Sequence, residues 1–271
     1  MNQKVGFIGC GKMAQAMIEG MIRSKVMQPE EIMASAKTDE TLQSVKEKNK
    51  ILVSSHNIEV AKHADILILA IKPNIHDEIL KEIAVAMDEQ KVIITIAAGI
   101  SLEYIESFFQ TKVKVVRAMP NTPSLVGEGM SAICHNEQIN QGDLEKVLLL
   151  FNSFGKTEVM VEELMDSIPA ISGSSPAYVY MFIEALADGG VKQGIPRKQA
   201  YKLAAQAVLG AAKMVLETGN HPGELKDNVC TPGGATIEAV AALEQEGFRS
   251  AILTAMDHCT QKSKQLSNKN E

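Results

Sequence analysis

The feature that most constrains this chain is Gly9-Cys10-Gly11-Lys12-Met13-Ala14, which follows an apolar run from Val5 to Gly9 and precedes Met17, Ile18, Met21 and Ile22 at helical spacing. A G-x-G-x-x-A run between a buried strand and an amphipathic helix is the turn of a βαβ unit that accepts a dinucleotide. Gly9 permits the tight turn, and Gly11 has no side chain to hold a pyrophosphate away from the backbone. Ala14 is small enough for the helix to pack on the sheet, while the helix N-terminus turns its partial positive charge toward the anion. Glycines also serve ordinary turns, so the position inside a strand–helix repeat carries the reading more than the letters do.

That repeat extends along the first half of the chain. Strand-like runs fall at 31–35, 66–71, 92–97, 113–118 and 130–134, alternating with helical patterns up to about Glu163. Their β-branched, nearly continuous apolar character suits a largely parallel sheet covered on both faces. The expected fold class is α/β, with an N-terminal Rossmann-type doubly wound sheet over residues 1–163 and an all-α domain over residues 164–271. In the second part Ser175-Pro176 reads as an N-cap and first turn of a helix running to Gln193, with Gly194 as its stop. Pro196 opens another helix, and shorter ones are expected from Thr236 to about Glu246 and from Phe248 to about Leu266. The helix after Pro196 carries Ala204, Ala205, Ala207, Val208, Leu209, Gly210, Ala211 and Ala212 and has almost no polar face. Such a helix is buried all round, against the first domain or against a second copy, and so small a helical domain favours the second copy.

Composition narrows the function. The net charge of −6, with no run of Lys and Arg, argues against a nucleic-acid partner. The longest apolar stretch, Val92 to Ile100, is far short of the roughly 20 residues that span a bilayer, and no signal peptide is visible at the start. Cys10, Cys134, Cys230 and Cys259 have no paired spacing, so neither a disulfide framework nor a zinc site is indicated. A cytoplasmic, metal-independent protein is expected.

An NAD-specific site usually carries Asp or Glu at the end of the second strand, where this chain reads Met33-Ala34-Ser35-Ala36-Lys37-Thr38. Ser35 and Thr38 can donate hydrogen bonds and Lys37 can neutralise a 2′-phosphate, so NADPH is the preferred cofactor. Asp39 and Glu40 lie just beyond and keep NADH open. In the helical part, Thr231-Pro232-Gly233-Gly234-Ala235-Thr236 precedes an apolar helix carrying Ile237, Val240 and Leu243. Its glycines let several N–H groups point one way at a helix N-terminus, which suits a small carboxylate; an ordinary helix-initiating loop has the same letters.

Several segments together resemble the pyrroline-5-carboxylate reductase family. These are Ala70-Ile71-Lys72-Pro73, Arg117-Ala118-Met119-Pro120-Asn121-Thr122-Pro123, Ser172-Gly173-Ser174-Ser175-Pro176-Ala177-Tyr178, Ala187-Asp188-Gly189-Gly190-Val191-Lys192, and Leu225 through Ile237. The resemblance covers nearly the whole chain in the right order. It implies a Rossmann domain and a helical domain that interlocks with a second subunit, an active site between them, and dimers that often assemble into decamers. By resemblance the cofactor contacts Gly9, Gly11, Lys12, Met13, Ala14, Ser35, Ala36, Lys37 and Asn57. Ala70, Ile71, Lys72, Pro73, Ala97 and Ala98 fall toward the nicotinamide, with Asn121 and Asn228 as hydrogen-bonding partners.

The substrate carboxylate falls on Gly233, Gly234, Ala235 and Thr236. The implied reaction is hydride transfer from NAD(P)H to the C=N carbon of 1-pyrroline-5-carboxylate, giving L-proline, with Thr236 as the candidate hydrogen-bond donor at the imine nitrogen. Some family members carry an acid shortly before the His-Pro pair; here Gly219-Asn220 precede His221-Pro222, so that contact is absent or supplied by water. His221 itself reads as part of a helix-connecting turn. Rival readings are a 3-hydroxyacid dehydrogenase using Lys192 as proton donor, and a nucleotide-sensing protein that has lost catalysis.

Overall fold

The computed structural model describes residues 3–267. They form two compact units, one of residues 3–174 with 259–267 and the other Ser175–His258.

The first unit is built on β1 (Val5–Ile8), α1 (Lys12–Arg23), β2 (Ile32–Ser35), α2 (Asp39–Asn49), β3 (Leu52–Ser54), α3 (Asn57–His63) and β4 (Ile66–Leu69). It continues through α4 (His76–Ile83), β5 (Val92–Thr95), α5 (Leu102–Glu106), β6 (Lys114–Met119), β7 (Gly129–His135), α6 (Gln141–Phe151) and β8 (Gly155–Val159). The strands make one eight-stranded sheet in the order β3-β2-β1-β4-β5-β6-β7-β8. Neighbours are parallel except β6 and β7. Every residue of β1, β4 and β5 is buried, because successive side chains enter opposite layers. Val5, Phe7, Ile66 and Ile68 join Met17, Ile18 and Met21 of α1 and Phe151 of α6 on one face. Ile8, Leu67 and Leu69 join Val60 of α3, Leu80 of α4 and Ile105 of α5 on the other. Helices on both faces explain why the strands lack a polar alternation.

The sequence expectation missed two strands, and they are the two sheet edges. β3 is three residues long with an exposed Leu52, and β8 reads Gly-Lys-Thr-Glu-Val with no residue fully buried. Short, polar edges are how a sheet avoids pairing with other chains, and they leave no apolar run to read.

The second unit holds α7 (Ser175–Lys192), α8 (Arg197–Thr218), α9 (Pro222–Val229), α10 (Ala235–Gln245) and the start of α11 (Phe248–Ser267). Gly194 takes φ +92 after α7, as its place as a stop requires, and α7 packs on α8. The expected N-cap at Ser175 is corrected. Residues Pro169–Gly173 form a π-turn in which Ser174 N–H donates to Pro169 O at 2.7 Å, so Ser175 is already helical. Helix α9 was not expected. Pro222 opens it, and His221 Nδ1 accepts from Gly223 N–H at 3.0 Å, so the histidine is its N-cap. On a single chain α8 buries only Ala200 and Ala204, while Leu203, Leu209, Met214 and Leu216 face solvent, Leu216 at 83%. Met181 of α7 is 70% exposed as well. Apolar surface on this scale marks an interaction site. Among the described residues no helix is long and apolar enough to cross a membrane.

Candidate functional site

The strand order reverses between β1 and β4, the switch point at which open parallel sheets bind ligands beyond their C-terminal strand ends. The chain leaves β1 through Gly9, whose φ of +88 only glycine adopts freely, and whose N–H donates to Ser35 O at 3.1 Å. A Cβ there would lie 2.5 Å from Ala70 O, so β1, β2 and the end of β4 meet at a point with no space for a side chain. Gly11 differs. It is the N-cap of α1, and a Cβ on it would touch nothing within 4 Å. The first N–H groups of α1 therefore open onto free space, which is the cradle a pyrophosphate needs. Ala14 is buried in the core, whereas Lys12 is exposed and Met13 half-buried. Cys10 is buried and its thiol pushed up to about 11, so it is an inert packing residue.

A cavity of about 430 Å³ adjoins this turn and brings together Gly9, Ser35, Ala36, Lys37, Asn57 and Ile71. Ile8 at the end of β1 also lines it, and Ser55, Ile75, Glu78 and Ile79, which the sequence did not single out, complete its wall. Lys37 is exposed at the cavity wall. Thr38 caps α2: its hydroxyl oxygen accepts from Thr41 N–H at 3.4 Å and lies 2.9 Å from Thr41 Oγ1. Ser35 Oγ donates to Asn57 Oδ1 at 2.7 Å, and Asn57 Nδ2 donates to Glu82 Oε2 at 2.8 Å.

The segment Ala70–Pro73 is tied to Ala97 by a buried histidine. Nδ1–H of His76 donates to Lys72 O at 3.1 Å, and Nε2 accepts from Thr95 Oγ1 at 3.1 Å. Thr95 Oγ1 in turn accepts from Ala97 N–H at 3.2 Å. Every partner is satisfied if the ring is neutral with its proton on Nδ1. Burial pushes His76 below the usual histidine range, and backbone carbonyl contacts at Lys72 and Pro73 draw it partly back. Its folded value is thus lower than its unfolded one. As pH falls through the histidine range the unfolded chain takes up a proton that the folded chain refuses, and stability is lost on acidification. His63, lowered by burial and by Lys4, acts with the same sign. Replacing His76 with Gln should flatten the fall in unfolding free energy between about pH 7 and pH 5, by on the order of 1 kcal/mol per pH unit, in urea titrations.

Asn121 is buried, with its amide shared between Ser172 O (2.8 Å) and Met130 N–H (2.9 Å). It joins the start of β7 to the π-turn. Arg117 is buried too and clamps Asp166 at 2.5 Å and Glu162 at 3.5 Å. Glu162 also accepts from Leu102 N–H at 2.8 Å.

In the helical unit Gly233 takes φ +66 and Gly234 is the N-cap of α10. A Cβ on Gly234 would lie 2.3 Å from Thr231 Oγ1, so that hydroxyl would have to swing aside to admit a side chain there. Ala235 and Thr236 open α10, and the half-buried Thr236 hydroxyl has no hydrogen-bond partner among the described residues. N–H groups and a spare hydroxyl at one helix N-terminus can hold a carboxylate and still donate to a neighbouring atom. Asn228 is exposed near the end of α9, and Lys192 is exposed in the last turn of α7.

Residues 162–266 match the family described as pyrroline-5-carboxylate reductase dimerisation, and residues 4–99 match that described as NADP oxidoreductase coenzyme F420-dependent. The pyrroline-5-carboxylate reductase of Escherichia coli is 46% identical over 98% of this chain and 99% of its own. That of Methanosarcina acetivorans is 42% identical over 99% of both. A crystal structure of Plasmodium falciparum pyrroline carboxylate reductase with NADP bound superposes with a TM-score of 0.86, at 35% identity over 98% of each chain.

Proposed function

The chain belongs to the pyrroline-5-carboxylate reductase family, NAD(P)-dependent oxidoreductases acting on C=N at the last step of proline biosynthesis, and from that premise we propose how its own residues serve the reaction. The observation that carries the reading is the pair of glycine-built anion cradles, one at Gly11 before α1 and one at Gly233–Gly234 before α10.

NADPH is the preferred cofactor and NADH the alternative. Lys37 supports this order, as does the absence of an acidic residue at the end of β2. Gly9, Gly11, Lys12, Met13 and Ala14 form the pyrophosphate turn, Ser35, Ala36, Lys37 and Asn57 the adenosine end, and Ala70, Ile71, Lys72, Pro73, Ala97 and Ala98 the nicotinamide end. Asn121 and Asn228 are the remaining cofactor partners; Asn121 has already committed part of its amide within the fold. When bound, the reduced nicotinamide supplies the hydride that the C=N carbon accepts, and the ring nitrogen takes one proton from solvent water to complete the amine. The chain's own residues bind and orient the substrate. Backbone N–H groups of Gly233 and Ala235 hold the carboxylate of 1-pyrroline-5-carboxylate, Gly234 shapes the turn with its own N–H donated to Thr231 O at 3.0 Å, and the Thr236 hydroxyl donates to the ring nitrogen.

Residues 164–271 are the proposed substrate-binding and dimerisation part, although 164–174 and 259–267 belong to the first compact unit. The exposed apolar residues of α7 and α8 support a homodimer, and assembly into a decamer is the further step that sizing at working concentration would test. The absence of a membrane-crossing helix among the described residues is consistent with work in the cytoplasm.

The decisive assay is oxidation of NADPH by the purified protein with 1-pyrroline-5-carboxylate, repeated with NADH and with a 3-hydroxyacid-family ketone. Imine-dependent oxidation yielding proline supports the reading; NADPH binding without turnover would move it to the sensing alternative. Thr236→Ala should raise the substrate KM and lower kcat, together by about tenfold in kcat/KM, as expected for one lost hydrogen bond. Unchanged steady-state kinetics in that variant would remove Thr236 from the mechanism.

A further inference from the structure

We propose that Glu82 is a positioning residue for cofactor selectivity: through Asn57 it makes Ser35 present a hydrogen-bond acceptor, and no donor, to the adenosine-ribose end of the cavity. The proposal rests on the reading of that cavity as the dinucleotide site.

An ionised carboxylate only accepts, so the Asn57 atom 2.8 Å from Glu82 Oε2 is the amino nitrogen. The carbonyl oxygen Oδ1 then faces Ser35 Oγ at 2.7 Å, and because that oxygen carries no hydrogen, the serine must donate. Ser35 has one proton and has spent it. The three residues stand on separate rigid elements: Ser35 ends β2, Asn57 is the first residue of α3, and Glu82 lies in the last turn of α4. Ser35 and Asn57 line the cavity, while Glu82 sits behind Asn57 and is not part of the wall. The polarity of the wall is therefore set by a residue the cofactor does not touch.

The consequence differs for the two dinucleotides. A free ribose 2′-hydroxyl can donate to the lone pairs of Ser35. A 2′-phosphate has acceptor oxygens only and meets those lone pairs with nothing to offer. Lys37 attracts the phosphate and the relay disfavours it, so the two features work against each other and NADH remains a competent second cofactor. Without the Glu82 carboxylate the Asn57 amide can rotate half a turn and place its amino group toward Ser35. The serine then accepts from Asn57 and frees its proton for a phosphate oxygen.

The test is direct titration of NADPH and NADH into the full-length protein without substrate, followed by kcat/KM for each. Glu82→Ala should shift the ratio of the two dissociation constants about tenfold toward NADPH, with kcat/KM moving in parallel. In a Ser35→Ala background the same substitution should leave the ratio unchanged, since no serine proton remains to be redirected. An equal shift in both backgrounds would show a through-space charge effect and overturn the relay, as would no shift in either. If Glu82→Ala fails to fold, Glu82→Met removes the acceptor while keeping helix propensity and bulk. Failure of the wild-type protein to bind either dinucleotide would instead sink the reading of the cavity.

Discussion

Gly9→Ala is expected to weaken NADPH binding about a hundredfold and to destabilise the first unit, whereas Gly11→Ala should weaken binding and leave stability nearly untouched. At Gly9 two effects add. A φ of +88 is unfavourable for any residue with a Cβ, by about 1–2 kcal/mol. The new methyl would also lie 2.5 Å from Ala70 O and 2.9 Å from Ile71 Cγ2, so the turn and the end of β4 must separate. Both segments line or adjoin the cavity, and a displacement of about 1 Å in such a frame can lose two orders of magnitude in function. At Gly11 the backbone is extended and the methyl meets no protein atom within 4 Å; it occupies only the space in front of α1. Thermal unfolding and NADPH titration on the two variants separate the effects. A folded Gly9→Ala protein that binds NADPH normally would refute the placement of the pyrophosphate at this turn.

The second large effect is expected far from the cradle. Gly129 of β7 pairs with Gly155 of β8, and a Cβ on Gly155 would lie 2.0 Å from Gly129 O and 2.5 Å from its carbonyl carbon. Backbone atoms cannot rotate away as a side chain can, so the two strands must part at the start of their pairing. Gly155→Ala should lose about 3 kcal/mol or more of stability, the upper range for overpacking. The same strand leads into Glu162 and Asp166, the partners of Arg117, so NADPH-independent loosening of that clamp should accompany the loss. Denaturant unfolding at fixed protein concentration measures it, with Gly142→Ala as the control, since a Cβ there meets only Asn140 Oδ1 at 3.4 Å. Equal stability of Gly155→Ala and the wild type would mean that β7 and β8 are not paired as described.

What the sequence determined by itself follows from local chemistry. β1, β4 and β5 are legible because both sheet faces are covered, which forces a continuous apolar run into the chain. Gly9, Gly11 and Ala14 are legible because a strand-to-helix turn around an anion admits few residue types. Gly194, Gly233 and Gly234 could be placed because left-handed or crowded backbone selects glycine. Only the tertiary structure could decide the rest. β3 and β8 are strands because a neighbour offers them a ladder, not because their own residues ask for one. Ser35 looked like a ligand donor and gives its proton to Asn57, and Asn121 gave part of its amide to the fold. The Ser35–Asn57–Glu82 relay and the Lys72–His76–Thr95–Ala97 chain join residues 22, 25 and 19 positions apart at their long steps. A hydrogen bond depends on where two atoms meet, and along a chain this folded that is a property of the packing, which no local run of residues records.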